Sequence, residues 1–436
     1  MRVAIIHDYL TQFGGAERVL KILMELFPSA PVYTLVHDPK VTAGLLDARR
    51  IRTSFLQKVP LARSRHRLFP LFMPLAVEQF DLSAYDLVIS ASHSFGKGVI
   101  TRPDTLHVSY CFTPLRYAWD DSHRYVREFG VPALLRALVP VALTYVRVWD
   151  THAADRVDHF LAISRFVAER IAKYYGRAST VIHPPVDTEQ FRPGSAPGDR
   201  FLVVSRLLPY KRIDLAIEAC NHLRVSLDIV GTGPEEERLR ELSGPTVRFH
   251  GFLPDAAVAR LYAACRAFLF PQEEDFGITV LEAAAAGRPV VAFRGGGALE
   301  TVVEGETGTF FEHQTVDSLA SGMEAVMRQS WDTAHIRSHA LRFEVSEFRR
   351  QFLGTVRALW RAFPRKRAGV VDHLHWLAET PEAAVHRLAA QVPLADAGSS
   401  GQSSVMPSPG SSTSMVWRQP DAQPAPTSPT RRPTVS

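Results

Sequence analysis

The chain has 436 residues, of which 46% are hydrophobic and 22% charged, and its formal net charge is +5. This composition is that of a soluble globular protein, and the length exceeds one ordinary core, so two domains plus an appendage are expected. The widely spaced Cys111, Cys220 and Cys265 argue against a disulfide framework or a zinc site, and the mild basic charge favours anionic partners without identifying one.

Strand-like and helix-like segments alternate through the first half of the chain. Buried strands are predicted at residues 3–7, 30–35, 87–92, 108–111 and 160–164, and helices at 16–26, 132–153 and 165–175. The N-terminal apolar run is too short for a signal peptide, and no later run reaches a membrane-spanning length. A strand near residue 180 ends in a proline-stiffened linker, and a turn-rich segment follows at 192–199.

The second half of the chain repeats this alternation. Strands are predicted at residues 201–204, 226–230, 247–250, 267–270 and 290–292, and an amphipathic helix is predicted at 346–363. Alternating strands and helices favour parallel sheets that are covered by helices. The predicted fold class is therefore α/β, with two doubly wound domains.

The linker and the change in composition predict the domain boundaries. We expect a first domain at residues 1–187, a second domain at 188–345, and a closing helix at 346–364 that packs back toward the first domain. Residues 365–436 are predicted to be a basic segment and a largely disordered tail, with a short helix at 381–391. The last 36 residues contain seven prolines and eight serines, and they cannot bury enough apolar surface to offset the entropy of ordering.

Two glutamates separated by seven residues are the clearest sign of a ligand site. Glu274 follows the predicted strand at 267–270, and Glu282 lies just over a turn into the next helix, which Gly287 is placed to end. Open α/β sheets bind ligands at the carboxyl ends of their strands, and carboxylate oxygens accept short hydrogen bonds from sugar or ribose hydroxyls. For the pair alone, a solvated acidic loop beside a helix-surface glutamate is the alternative interpretation.

Glycines and cations mark other predicted strand ends. Gly14 and Gly15 open a helix whose N-terminal N–H groups can bind an anion, but their spacing is not the dinucleotide fingerprint, and a simple tight turn is the alternative. Arg206 and Lys211 flank a loop and can converge on one diphosphate, with two solvated loop cations as the alternative. Further glycine turns at the edge of the second sheet carry Gly231, Gly251 and Phe252.

As an ordered set, these motifs resemble the retaining GT-B glycosyltransferases of family 4 over about residues 1–360. The resemblance implies two Rossmann-like domains that face a cleft, with a nucleotide-sugar donor in the second domain and an acceptor in the first. It implies neither a metal nor a further cofactor. The catalytic residues that it implies are Glu274, Arg206 and Lys211, to which the narrower resemblance given below adds His93.

The same resemblance assigns the donor site residue by residue. Arg206 and Lys211 would hold the diphosphate, Glu282 would bind the ribose, and Glu274 would hold hydroxyls of the donor sugar. The full set of implied donor contacts is Gly14, Gly15, Arg206, Lys211, Gly231, Gly251, Phe252, Glu274, Phe276, Gly277 and Glu282.

Residues 80–98 and 110–120 resemble a narrower group, the bacterial O-antigen mannosyltransferases, which use GDP-mannose. This resemblance implies transfer of mannose to a growing, lipid-linked polysaccharide or O-antigen. His93 would face the donor sugar or the acceptor, and a purely structural histidine is the alternative. Lys97 and Arg116 are expected to line the basic wall of the cleft.

The segment at residues 58–73 interleaves cations with bulky apolar side chains, which is typical of contact with an anionic bilayer. Interdomain packing with a solvated basic face is the alternative. We expect a cytoplasmic protein, peripheral at the inner face of the cytoplasmic membrane, with a glycan or lipid-linked glycan acceptor and no nucleic acid partner.

The alternative functions are a UDP-hexose-dependent transferase, a nucleotide-sugar epimerase, a glycan phosphorylase and a non-enzymatic sugar-nucleotide sensor.

Overall fold

The computed structural model describes residues 1–65, 69–120, 139–194 and 196–364, all of which fall in one compact unit. The predictions for 365–436, including the helix at 381–391 and the disordered tail, lie outside the described residues. Residues 132–138 of the predicted helix at 132–153 and residues 66–68 of the basic segment also lie outside them. None of the helices in the described ranges is long and apolar enough to cross a bilayer.

The first sheet has seven parallel strands in the order β3-β2-β1-β4-β5-β6-β7. They are β1 (Val3–Leu10), β2 (Val32–His37), β3 (Ile51–Thr53), β4 (Leu87–Ser92), β5 (Leu106–Cys111), β6 (His159–Ala162) and β7 (Ser179–Val181). Its helices are α1 (Gly15–Leu26), α2 (Pro39–Thr42), α3 (Ala62–Arg65), α4 (Met73–Glu78), α5 (Arg116–Trp119), α6 (Val139–Asp155) and α7 (Arg165–Tyr175). We call this sheet and its helices the first lobe.

The second sheet has six parallel strands in the order β10-β9-β8-β11-β12-β13. They are β8 (Phe201–Val204), β9 (Leu227–Val230), β10 (Val247–Gly251), β11 (Ala267–Phe270), β12 (Val290–Phe293) and β13 (Gly308–Phe311). Its helices are α8 (Ile213–Leu223), α9 (Glu236–Glu241), α10 (Asp255–Ala264), α11 (Ile278–Ala285), α12 (Ala298–Thr301), α13 (Val316–Arg328) and α14 (Thr333–Leu341). We call this sheet and its helices the second lobe.

Both sheets have the doubly wound α/β arrangement that the sequence predicts. Their central strands β1, β4, β8 and β11 are almost entirely buried, because helices cover both faces of a parallel sheet. The strand order reverses between β1 and β4 in the first sheet and between β8 and β11 in the second. These reversals create the crevices in which open α/β sheets bind ligands.

The last described helix, α15 (Val345–Ala362), leaves the second lobe and packs on the first. Phe348 and Phe352 are buried, and their ring centroids lie 5.7 and 5.9 Å from that of Tyr110 on β5. Where the chain returns, the Val186 N–H donates to the carbonyl oxygen of Phe343 at 2.8 Å. The two segments that join the lobes therefore run side by side and are hydrogen-bonded.

Candidate active site

The predicted catalytic residues lie on loops that follow the strands at the two reversals. The loops after β1 and β4 hold Gly14, Gly15 and His93, and the loops after β8 and β11 hold Arg206, Lys211 and Glu274. All four follow the carboxyl ends of their strands. The sheet topology therefore places the predicted catalytic residues where a ligand crevice is expected.

The cationic loop after β8 contacts both the first lobe and the acidic loop. The exposed Arg206 donates from Nη1 to Oε1 of Gln12 in the first lobe at 3.1 Å. Lys211 forms an ion pair with Glu274, and both side chains are less than one-fifth exposed. The Lys211 ammonium can donate to a phosphate oxygen, and the Glu274 carboxylate can accept from a hydroxyl.

Gly231 fixes the turn that supports this cationic loop. Its φ angle is +132°, and a Cβ atom at this position would overlap the carbonyl oxygen of Ser205. Only glycine allows both this backbone conformation and this close approach. The turn after β9 is thereby held directly against the residue that precedes Arg206.

The acidic loop after β11 packs against three consecutive glycines, Gly295 to Gly297, which the sequence analysis did not single out. The N–H of Gly297 donates to the carbonyl oxygen of Glu274 at 2.8 Å, and a Cβ atom on Gly297 would overlap Phe276. Phe276 is buried, and its ring stacks on His183 with centroids 5.3 Å apart. Gly277 has φ +92° and is the N-cap of α11. Three consecutive glycines, one residue after the end of a strand, are the sequence signal for this support.

Glu282 lies inside the second lobe, where it is only 6% exposed. Its carboxylate accepts from the hydroxyl of Tyr262 at 3.0 Å and from Arg18 Nη1 of the first lobe at 3.3 Å. Burial raises the pKa of Glu282 above its ordinary value and outweighs the opposing effects of Arg18 and the Tyr262 hydrogen bond. Glu282 therefore has partners different from those of Glu274.

The glycine loop of the first lobe approaches the second lobe closely. The Gly14 N–H donates to Oε2 of Glu17 at 2.8 Å, and a Cβ atom on Gly15 would lie 3.0 Å from Cδ1 of Ile278. Ile278 is the first residue of α11. A side chain at position 15 would require the tip of the Ile278 side chain to shift by a few tenths of an ångström.

His93 is held at the end of β4 by Asp8, a residue that the sequence analysis did not assign to the site. Asp8 is fully buried, and its carboxylate accepts from the backbone N–H groups of Gly96 and His93, both at 2.6 Å. The imidazole Nδ1 of His93 lies 3.1 Å from Oδ2 of Asp8, and a third of that side chain is exposed. Burial raises the pKa of Asp8, but the charges of His93 and His7 and these N–H donors outweigh it, so the pKa is lowered.

A second buried pair lies beside Asp8 and connects it to the glycine loop. The Nε2 atom of His7 lies 3.7 Å from Oε1 of Glu17, and its Nδ1 is 2.9 Å from the carbonyl oxygen of Ala91. Burial lowers the pKa of His7, but the neighbouring negative charges of Glu17 and Asp8 outweigh burial and raise it. The pKa of Glu17 is lowered by His7 and the Gly14 N–H in spite of burial.

Several predicted residues are not brought into direct contact with the Lys211–Glu274 pair. Gly251 ends β10 with φ +64°, and the next side chain, Phe252, is 81% exposed. The expectation that Lys97 lines the cleft is wrong, because Lys97 is buried and forms an ion pair with Asp150.

A cavity of about 620 Å³ opens between α7, α12 and α15, and it includes none of the predicted donor contacts. Its lining includes Arg165, His183, Glu300, Arg342 and Glu347. Among the described residues, no group of three or more histidine, cysteine, aspartate or glutamate side chains could hold a metal ion.

Two family models match the chain, one in each half. The model described as "Glycosyltransferase Family 4" matches residues 13–190, and the model described as "Glycosyl transferases group 1" matches residues 185–342. Together they run across both lobes and include every predicted site residue.

Curated relatives are similar over parts of the chain. A GDP-mannose-dependent alpha-(1-6)-phosphatidylinositol monomannoside mannosyltransferase of Mycolicibacterium smegmatis is 33% identical over 43% of this chain and 56% of that protein. Its namesake from Mycobacterium tuberculosis is 30% identical over 49% of this chain and 66% of that protein. A GDP-mannose-dependent alpha-mannosyltransferase of M. smegmatis is 29% identical over 72% of this chain and 84% of that protein. The matches therefore span a little over half to just under two thirds of the first two relatives.

Solved structures share the fold. HepE of Anabaena in complex with UDP-glucose has a TM-score of 0.60 at 19% identity, with 82% of this chain and all of that chain covered. Sucrose-phosphate synthase from Thermosynechococcus elongatus has a TM-score of 0.62 at 19% identity, with 83% of this chain and all of that chain covered. These likenesses show that the chain has the GT-B fold, and the two family models and the curated relatives support a glycosyltransferase of family 4.

Proposed function

We propose that the chain is a retaining mannosyltransferase that moves mannose from GDP-mannose to a growing, lipid-linked bacterial polysaccharide or O-antigen. The observation that carries this proposal is the pairing of Lys211 with Glu274 beside Arg206 at the reversal of the second sheet. This crevice offers cations for a diphosphate and a carboxylate for sugar hydroxyls within one pair of loops. The first lobe supplies His93, Gln12 and the glycine loop on the opposite side.

The chemistry that we propose is electrostatic. Breaking the anomeric bond places additional negative charge on the departing diphosphate, and Arg206 and Lys211 stabilise that charge. In the front-face route, the acceptor hydroxyl attacks beside the leaving phosphate, which takes the proton, so no covalent nucleophile is needed. We propose that no metal takes part, because the two side-chain cations supply the charge that a metal would supply.

The names of the relatives support GDP-mannose as the donor, since the three described above are GDP-mannose-dependent. A UDP-hexose is the alternative donor. HepE, whose structure contains UDP-glucose, is 19% identical to this chain, and a similarity at this level shows a shared fold but does not identify the donor.

Peripheral membrane contact is the proposed basis for reaching a lipid-linked acceptor. Leu61, Leu71, Phe72 and Leu75 are 60%, 45%, 55% and 51% exposed around α3 and α4. Exposed Lys58 and other cations accompany them in the sequence. Apolar side chains among cations favour an anionic bilayer surface, which we propose is the inner face of the cytoplasmic membrane.

Thermal unfolding with GDP, GDP-mannose, UDP and UDP-glucose, without added metal, tests the donor. A ligand at a hundredfold excess over its Kd stabilises the native state by about 2.7 kcal/mol, so GDP and GDP-mannose are expected to raise the Tm by several degrees. A rise in Tm with UDP and UDP-glucose alone would indicate that the donor is a UDP-hexose instead of GDP-mannose. The absence of any shift would contradict the sugar-nucleotide site, and turnover of donor without acceptor to an isomeric sugar nucleotide would indicate an epimerase.

The pH dependence of GDP binding tests the role of Glu282. The ionised carboxylate is the acceptor for ribose hydroxyls, and its pKa lies above the ordinary value of 4.5, so GDP affinity is expected to fall as the pH drops through this raised pKa. Calorimetric Kd values for the wild type and for Glu282→Gln between pH 5 and about pH 8 measure the effect. Protonation of GDP itself affects both proteins equally, so the ratio of the two Kd values isolates the titration of Glu282. A ratio that does not change with pH would contradict the assignment of Glu282 to the ribose.

A further inference from the structure

Asp275 is a donor-loop residue whose own contacts lie across the cleft. It stands between Glu274 and Phe276, both of which are predicted donor contacts. Its side chain is 14% exposed and is bound by residues of the first lobe rather than by its own lobe. The loop that we propose holds the donor sugar is therefore also a point of contact between the lobes.

The carboxylate of Asp275 is held by a hydroxyl and by cations. Thr113 donates from Oγ1 to Oδ1 of Asp275 at 3.2 Å, and Arg170 forms an ion pair with the same oxygen. Arg116 Nη1 lies 3.6 Å from Oδ2. Arg170 is itself only 8% exposed and also pairs with Asp120, so the first lobe presents this cation in a fixed position.

The backbone of Asp275 is held by the start of α7. The Ser164 hydroxyl donates to the carbonyl oxygen of Asp275 at 2.6 Å and accepts from the N–H of Val167 at 3.0 Å as the helix N-cap. The next N–H, of Arg165, donates to the carboxylate of Glu300 at 2.8 Å. One rigid helix end thus contacts both the donor loop and α12 of the second lobe.

We infer that Asp275 is a positioning residue through which the first lobe fixes the donor-sugar loop. The main chain and side chain of Asp275 are both bound from the first lobe, and Glu274 is its immediate neighbour. The first lobe thereby adds a second set of contacts to the loop whose Glu274 is already held by Gly297 and Lys211 of the second lobe. This couples alignment of the donor sugar to closure of the cleft, which also excludes water. The inference rests on the proposed function, because it assumes that Glu274 contacts the sugar.

Asp275→Asn tests the inference, since it keeps the shape of the side chain and removes the charge that faces Arg170. With GDP-mannose as donor and methyl α-mannoside as acceptor, we expect kcat to fall on the order of 10- to 100-fold, because small misplacements near reacting atoms have effects of this size. The Kd for GDP is expected to stay within about twofold of wild type, because the nucleotide is bound by other residues.

Glu273→Gln is the matched control. It removes one carboxylate from the same loop, but its side chain is exposed, and no contact with the first lobe is recorded for it in the described ranges. We expect it to retain wild-type kcat. Thr113→Val removes the hydrogen bond that Thr113 donates to Asp275 and the one that it accepts from Arg170, and it serves as the test variant if Asp275→Asn does not fold.

The outcomes separate the inference from the proposed function. A fall in kcat for Asp275→Asn or Thr113→Val with GDP binding retained supports the inference. Wild-type kcat in these variants, or a parallel loss of kcat and GDP binding, overturns it while leaving the proposed function in place. If the wild-type chain itself neither binds GDP nor turns over a donor, the proposed function and this inference fail together.

Discussion

Replacing Arg206 with alanine is expected to lower kcat by about 100- to 1,000-fold, corresponding to about 2.7–4 kcal/mol of lost transition-state stabilisation. The expectation follows from the position of its guanidinium, which contacts Gln12 of the first lobe at 3.1 Å and the hydroxyl of Tyr210, in the same loop as Lys211, at 3.5 Å. Because Arg206 is exposed, its loss is expected to change the free energy of unfolding by no more than about 0.5 kcal/mol. The measurement is steady-state kinetics with GDP-mannose, together with a thermal unfolding curve.

Arg212→Gln is the matched control for this prediction. Arg212 lies in the same loop and carries the same charge, but its guanidinium is directed to Asp214 at 3.3 Å and to Gln314 at 3.5 Å. A charge effect that is not specific to the diphosphate would lower kcat in both variants. If Arg206→Ala retains the wild-type kcat, Arg206 does not stabilise the departing diphosphate and its assignment to the site is wrong.

Asp8→Asn is expected to lower the free energy of unfolding by about 3–5 kcal/mol at pH 7, because it removes one member of a buried charged cluster. The carboxylate of Asp8 accepts from two backbone N–H groups and pairs with His93, and an amide cannot accept in the same way through its nitrogen. Turnover is also expected to fall, since the imidazole of His93 loses the group that orients it. Chemical denaturation at several pH values measures the stability effect.

The sign of the pH dependence distinguishes this cluster from an ordinary buried carboxyl group. The pKa of Asp8 in the folded chain is below its ordinary 3.8, so its contribution to stability is present above that pH and is lost as the pH falls. The difference between the wild type and Asp8→Asn should therefore shrink in acid. Asp158 is the control. Its carboxylate accepts from the His107 N–H at 2.7 Å, but burial outweighs this bond and raises its pKa. The stability difference between the wild type and Asp158→Asn should therefore shift in favour of the wild type as the pH falls. A difference that is independent of pH would contradict the ionised state of Asp8.

Most strands could be predicted because continuous apolar runs are typical of buried parallel strands. The bounds of β4 and α7 agree with the sequence prediction to the residue. Two edge strands were missed. In β3, Arg52 and Thr53 are exposed, and β13 begins with Gly308, so neither has the unbroken apolar run that marks a central strand.

The sequence indicated the residues proposed to contact the donor better than it indicated the residues that hold them in place. Arg206, Lys211 and Glu274 are recognisable from motifs that lie within one lobe. Asp8 and Asp275 are not, because their roles depend on contacts with His93, 85 residues away, and Arg170, 105 residues away. Local spacing carries no information about such pairs, and no disulfide or metal pattern signals them.

The return of α15 to the first lobe has a consequence for how the protein is made. The apolar surface around Tyr110 is covered by Phe348 and Phe352, which are synthesised only after the whole second lobe. The first lobe therefore cannot complete its packing when its own strands have left the ribosome, as a contiguous N-terminal domain would. A fragment cut at the linker near residue 190 would expose this surface to aggregation, whereas the same fragment supplied with residues 345–362 in trans should regain solubility.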